Sequence, residues 1–298
     1  MPSTTELGVE RWFADHPDIP VDTTREALYT PRELYDTTPY AASLDARAYA
    51  WSQPPFTRDT ALARALHDHA IDLALESWTV GKALAGVMGG HRVERGQPDY
   101  AEAARLGAAL GAGHVVATGG GPGAMEAANL GARFAGRTGD LDDALAMLAD
   151  VPSYQPSVDP WVGRAFEVLD RWPSTTETLG IPTWFYGHEP PNAFATAIAK
   201  YFRNSSREAI LVNVCTAGIV FLPGVAGTVQ EVFQDACENY YGTEDVVAPM
   251  VLVGASYWTE DLPGWPLLQR LARGRPMERH VHLVDSVAEA ANLIVSGT

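Results

Sequence analysis

His114-Val115-Val116-Ala117-Thr118-Gly119-Gly120-Gly121-Pro122-Gly123-Ala124-Met125-Glu126 is the stretch on which the reading of the fold turns. An apolar run of strand length meets three glycines and then a segment of helix formers. Pro122 is expected at the first helical position, where its missing N–H leaves no hydrogen bond unmade. The same rhythm recurs on either side. Short apolar runs at 83–88, 183–186, 219–222, 250–253 and 280–284 alternate with amphipathic helical patterns over 98–111, 123–136, 192–209 and 228–241. That alternation predicts an α/β fold with a doubly wound, mostly parallel sheet carrying helices on both faces. Ligands of such sheets lie outside the carboxyl ends of the strands, so the loops there are where chemistry is sought.

The first part of the chain reads differently. Scattered prolines and aromatics up to about residue 55 give way to a helical pattern at 58–79, with Leu62, Ala65, Leu66, Ala70 and Leu73 on one face. The expected organisation is therefore a mainly helical or irregular N-terminal extension, 1–80, packed on a main domain, 81–298. Residues 137–180 interrupt the alternation and read as an insertion with helical candidates at 141–148 and 161–169.

Hydrophobic residues make up 46% and charged residues 19% of the 298, a globular balance. A formal charge of −16 argues against tracking a nucleic acid polymer. It does not oppose a mononucleotide, which backbone N–H groups and one or two arginines can hold. Cys215 and Cys237 show no metal or redox spacing and read as reduced thiols. No basic-flanked apolar leader and no run near the ~18 apolar residues of a membrane span occur, so the expectation is a cytoplasmic protein without membrane contact.

Three loops stand out. Val87-Met88-Gly89-Gly90-His91 ends a strand in paired glycines, which serve a turn or a close backbone approach. The Gly119–Met125 loop combines free N–H groups with a helix dipole, an anion site suited to phosphate. No Gly-Lys-Ser/Thr follows it, which disfavours triphosphate chemistry with magnesium, and its spacing is not GxGxxG. Phe221-Leu222-Pro223-Gly224-Val225-Ala226-Gly227-Thr228-Val229-Gln230-Glu231 is the third. There Thr228 reads as an N-cap and Glu231 as its capping-box partner; the same carboxylate, facing a phosphate-type loop, suits a general base or a stabiliser of positive charge. No metal motif and no nucleophile elbow are present, so neither metal nor cofactor is called for.

Together the second and third loops resemble the LOG (Lonely Guy) family, whose members carry GGGxxGxM and PGGxGTxxE loops on a Rossmann-like sheet. Here the first motif stands as Gly119-Gly120-Gly121-Pro122-Gly123-Ala124-Met125, its later glycine one place early. The second stands as Pro223 to Glu231, with Val225 in place of a glycine. Arg207 stands close to the position of the family's catalytic arginine, and GGGPGAMEA looks more like the longer bacterial members. The resemblance covers roughly 83–255 and implies hydrolysis of a nucleoside 5′-monophosphate to free base and ribose 5-phosphate. It also implies a homodimer or higher oligomer, for which helix 192–209 and Asn239-Tyr240-Tyr241 are candidates.

On that resemblance Glu231 and Arg207 are the catalytic pair. Gly119, Gly120, Gly121, Gly123, Ala124, Met125, Gly224, Gly227 and Thr228 are expected to hold phosphate and ribose. Gly89, Gly90, His91, Glu126 and His188 are candidates for the base pocket. A mononucleotide sensor or carrier without hydrolytic activity is the alternative, and Val225 is the departure that sustains it.

Overall fold

In the computed structural model, which describes residues 18–185 and 189–296, the apolar runs assemble into one parallel sheet. Its strands are β1 (Leu84–Met88), β2 (Val115–Thr118), β3 (Thr178–Gly180), β4 (Ala197–Ile198), β5 (Gly218–Phe221), β6 (Met250–Val253) and β7 (Val281–Val284). The order across the sheet is β4-β3-β2-β1-β5-β6-β7, all pairs parallel. Chain progression reverses at β1, with β2 on one side and β5 on the other. The crevice between their following loops is thus the switch point where such sheets bind ligands.

Helices cover both faces. In chain order they are α1 (Pro31–Leu34), α2 (Leu44–Ser52), α3 (Arg58–Thr79), α4 (Pro98–Leu110), α5 (Ala124–Arg133), α6 (Thr138–Ala149), α7 (Val158–Arg171), α8 (Asn204–Asn213), α9 (Ala226–Tyr241), α10 (Trp265–Ala272) and α11 (Val287–Val295). The period of two along each strand divides the core. Leu84, Met88, Ile219, Phe221, Met250 and Leu252 face one layer; Ala85, Val87, Val220, Val251 and Val253 face the other. Being buried on both faces is why these strands read as unbroken apolar runs.

Helices α4 and α5 pack closer than side chains would permit. A Cβ on Gly131 would lie 1.8 Å from the Ala104 carbonyl oxygen, and one on Gly107 would lie 2.0 Å from that of Ala128. All ten residues of α5 are buried, so the helix that begins at the glycine loop is itself core.

The structure revises several expectations. Residues 183–185 are not a strand: Thr183 makes only an isolated bridge with Tyr201, and Tyr186 lies outside the described residues. Pro182, which has no N–H to give a ladder, precedes them, and the strand lies earlier, at β3 inside the predicted insertion. Helix 192–209 is largely absent. Residues 193–202 are almost continuously buried, include β4, and are tied to β3 by Thr178 Oγ1 donating to Phe194 O at 2.6 Å. Helix begins only at Asn204. Pro122 sits before the N-cap, Gly123, rather than at the first helical position.

Residues of the N-terminal segment pack into the same core layer as β1 and β5, through Val21, Leu28, Tyr29, Leu34, Ile71 and Leu75. Tyr29 pairs antiparallel with Ile198 and closes the β4 edge, N–H to O at 3.0 and 2.8 Å. Asp45 of α2 meets Lys200 at 2.5 Å, with Trp184 Nε1 at 2.8 Å and the Tyr40 hydroxyl at 2.6 Å donating to the same carboxylate. Both members of this ion pair are buried, so the added donors are what make it tolerable.

Candidate functional site

The three glycine loops converge above β1, β2 and β5. Gly90 N–H donates to Pro223 O at 3.1 Å and Ala124 N–H donates to Gly90 O at 3.0 Å, so the loops are bonded to one another. Gly123 is held at φ +79° against Gly90 O, where a Cβ would come within 2.4 Å. Gly224 lies under Thr228, and a Cβ there would meet Thr228 Oγ1 at 2.2 Å. Its carbonyl accepts the Tyr257 hydroxyl at 2.6 Å.

A polar network sets the triple-glycine loop. Gly120 N–H donates to Thr118 Oγ1 at 3.0 Å, and Thr118 Oγ1 donates to Asn129 Oδ1 at 2.8 Å. Asn192 donates through Nδ2 to Gly121 O at 3.2 Å and to Asn129 Oδ1 at 3.2 Å, while Gly120 O accepts Asn192 N–H at 2.9 Å. Asn129 and Asn192 were not singled out from sequence. An asparagine in a helix interior, a poor helix former there, was the available signal for Asn129.

Of the N–H groups expected to hold phosphate, those of Gly120 and Ala124 are therefore occupied within the protein. Those of Gly227 and Thr228, in the first turn of α9, carry no hydrogen bond among the described residues, and Gly227 has open space where a Cβ would stand. The helix starts two residues before the expected cap: Val225 is the N-cap and Thr228 the third helical residue, with no side-chain cap bond. The capping box with Glu231 accordingly does not form. Val225 has φ −103° and is 45% exposed, so a side chain is accepted there without left-handed backbone.

Beneath the loops stands a buried charged cluster from two helices. Arg207 of α8 reaches under Gly119, where a Cβ would come within 2.8 Å of Arg207 Nη2; the glycine makes room for the guanidinium. Arg207 Nε donates to Ile181 O at 2.7 Å and Nη2 to Gly119 O at 3.4 Å. Its Nη1 lies 2.7 Å from Glu208 and 3.6 Å from Glu231 Oε1. Glu231 and Asp235, one turn apart on α9, are both buried, as is Glu208. Burial, countered by Arg207 and reinforced by Glu208, pushes the Glu231 carboxyl up to about 8. Asp235 is also held well above the usual carboxylate range, by burial and then by Glu238. One guanidinium thus serves two buried carboxyls, Glu208 and Glu231, while Asp235 lies one turn further along α9 and takes the Asn239 amide at 3.2 Å. Sequence reasoning identified Arg207 and Glu231 but singled out neither Glu208 nor Asp235 for the site.

A cavity of about 320 Å³ opens at the Pro122–Gly123 end of the glycine loop, lined by His91, Arg92, Gly123, Glu126, Tyr154 and Glu189 and by none of the buried charged residues just described. His91 and Glu126 are thus brought together as expected, but the Glu126 carboxylate is taken. It is buried, paired with both Arg95 Nη2 and Arg95 Nε, the latter at 3.1 Å, and accepts the Tyr100 hydroxyl at 2.9 Å. Glu126 shapes the cavity through Arg95 rather than offering a free acceptor. Arg95→Ala should strand that carboxylate in the core and cost about 3–5 kcal/mol, read from urea unfolding midpoints. Gly89 and Gly90, at φ +95° and +67°, form the turn behind the cavity, and His188 lies outside the described residues.

Among the described residues no helix is long and apolar enough to cross a membrane. Comparison with protein-family models and with curated proteins returns no match. Among solved structures the chain is similar to the molybdenum cofactor binding protein from the phototrophic bacterium Rippkaea orientalis, at 21% identity over 73% of this chain and 98% of that one, TM-score 0.46. It is also similar to the molybdenum cofactor carrier protein MCP from Chlamydomonas reinhardtii, at 19% identity over 72% and 98%, TM-score 0.45. These similarities assign no ligand to the cleft.

Proposed function

We propose that the crevice above β1, β2 and β5 binds a nucleoside 5′-monophosphate and hydrolyses its base–ribose bond. The observation that carries the reading is the buried Arg207–Glu231 pair, 3.6 Å apart beneath converging glycine loops, with Glu231 tuned to about 8. Cleavage of an N-glycosidic bond builds positive charge on C1′ and O4′. The ionised Glu231 stabilises that charge and takes a proton from the attacking water; the C1′–N electron pair leaves with the base, which takes its proton from solvent. The uncapped N–H groups of Gly227 and Thr228 receive the phosphate with the dipole of α9. His91 borders the base. Two copies of the chain pair through the exposed side of α9, where Tyr241 is 80% exposed.

The test is release of free base and ribose 5-phosphate from a panel of ribo- and deoxyribonucleoside monophosphates. Glu231→Gln is expected to lose about 100-fold or more in kcat, the scale of a general-base or electrostatic contribution. Because the active form is the carboxylate, kcat/KM should rise with pH and level off above about 8. A flat profile from pH 6 to 9 would count against Glu231 as the base.

A second reading, binding without turnover, draws on Arg207. Its guanidinium already meets Ile181 O, Gly119 O and Glu208, which leaves little of the donor fork for a substrate. Intact nucleotide after prolonged incubation, together with a raised melting temperature, would select that reading.

A further inference from the structure

A second cavity, of about 690 Å³, opens between α3 and the start of α8. Its walls include Tyr201 and Phe202, which belong to one core layer, whereas Trp161 of the smaller cavity belongs to the other. None of the glycines of the three loops lines it, and of the third loop segment Gln230 alone, beside Glu231 on α9, reaches its wall. The volume is more than twice that of the His91 cavity and falls within the range of small-molecule sites.

Its charges are unevenly satisfied. Asp68 accepts the backbone N–H groups of Phe202 and Arg203 at 3.0 and 2.9 Å and faces His67 Nδ1 at 3.0 Å. Asp72 accepts the Tyr201 hydroxyl at 2.9 Å. Both acids in the wall therefore have partners. Arg64 and Arg203 have no ion pair among the described residues. The Arg64 guanidinium carbon lies 4.2 Å from the Phe56 ring centroid and 5.5 Å from that of Phe202, its Nη2 donates to Ser52 O, and burial lowers its pKa while the field of Asp68 opposes that shift. Ser205 and Ser206 open α8, whose first turn has no side-chain cap. Phe56 and Phe185 stand in the wall 60% and 65% exposed. An exposed phenylalanine ring forgoes burial that a flat ligand would supply.

We propose that this cavity is a second binding site, separate from the glycine-loop crevice, for a phosphorylated aromatic small molecule of nucleotide size. Arg64 and Arg203 meet the phosphate, and Phe56 and Phe185 take the ring. The site bears on the first one through Asn204, which lines the cavity and donates through Nδ2 to Glu208 at 3.4 Å; Glu208 in turn pairs with Arg207.

Photolabelling with 8-azido-AMP, mapped by mass spectrometry, tests this and separates the two sites. The expected result is label on peptides carrying Phe56, Phe185 or Phe202, with its half-saturating concentration raised about tenfold or more in Arg64→Gln. Arg203→Gln changes an exposed side chain and serves as the second variant should Arg64→Gln fold poorly. Glu231→Gln should leave the cavity label in place. Label confined to 119–125 and 224–229, or cavity label unchanged in both arginine variants, overturns the proposal. Cavity label without crevice label would support this site while counting against the proposed function.

Discussion

Gly131→Val is expected to leave the chain unable to fold. The Cβ position at residue 131 falls 1.8 Å from Ala104 O and 2.7 Å from Ala104 C, and the obstacle is backbone, which cannot swing aside as a side-chain tip can. Gly107 meets the Ala128 carbonyl in the reciprocal way, and Gly111 would place a Cβ 2.7 Å from Ala132 Cα, so α4 and α5 touch along three successive turns. Relieving the clash requires α5 to move off α4, and α5 is buried on every side and starts at the glycine loop. Overpacking in a core ordinarily costs about 1–3 kcal/mol; against immovable backbone the figure should exceed about 4, a large share of typical domain stability. Gly131→Ala should show the same defect in weaker form as a lowered urea midpoint. Gly163→Ala is the control: it lies in α7 with nothing within 4 Å of its Cβ and should stabilise by about 0.5–1 kcal/mol. Equal midpoints for Gly131→Ala and wild type would refute the close-contact account.

The second large effect runs opposite to the usual expectation for a site residue. Glu231→Gln should raise thermal stability at pH 8 while removing activity. Burial opposes the charge of the folded-state carboxyl more than Arg207 favours it and pushes its pKa from the ordinary 4.5 up to about 8. Between these two values the folded chain binds more protons than the unfolded chain, so Glu231 makes stability fall as pH rises from about 4.5 to 8. Below that window the group is neutral in both states and the handicap disappears. Glutamine keeps the shape without the titration. The expected gain is on the order of 2–4 kcal/mol at pH 8, or roughly 5–10 °C in Tm, shrinking toward zero near pH 4.5. Arg207 retains Glu208 at 2.7 Å, so the substitution does not strand it. A stability gap between variant and wild type that stays constant from pH 5 to 8 would show that Glu231 is not the group carrying the pH dependence.

Much of the molecule was legible from local pattern. Five of the six apolar runs became sheet strands because a strand buried on both faces is marked by composition alone. The helical pattern at 58–79 matches α3, Arg58–Thr79, end to end, since Thr57 caps its start with an accepted N–H at 3.1 Å. The misread segment, 183–209, carries the same apolar density as a helix face, and periodicity cannot tell a fully buried extended segment from a buried helix. Thr228 and Glu231 have the spacing of a capping box, yet the helix took Ala226 as its first residue because Thr228 packs over Gly224 instead.

The sequence by itself determined the alternating α/β plan and the two glycine-rich loops, because each is written in neighbouring residues whose spacing has direct backbone meaning; Arg207 and Glu231 became a candidate pair through the resemblance those loops carry. Only the tertiary structure decided which N–H groups remain open for an anion, that Glu126 belongs to Arg95, and that Glu208 joins Glu231 around Arg207 in one buried cluster. It alone formed the wide cavity between α3 and α8. These features depend on residues far apart in the chain meeting in a space of low dielectric, and charge, burial and pKa acquire their values only when that space closes.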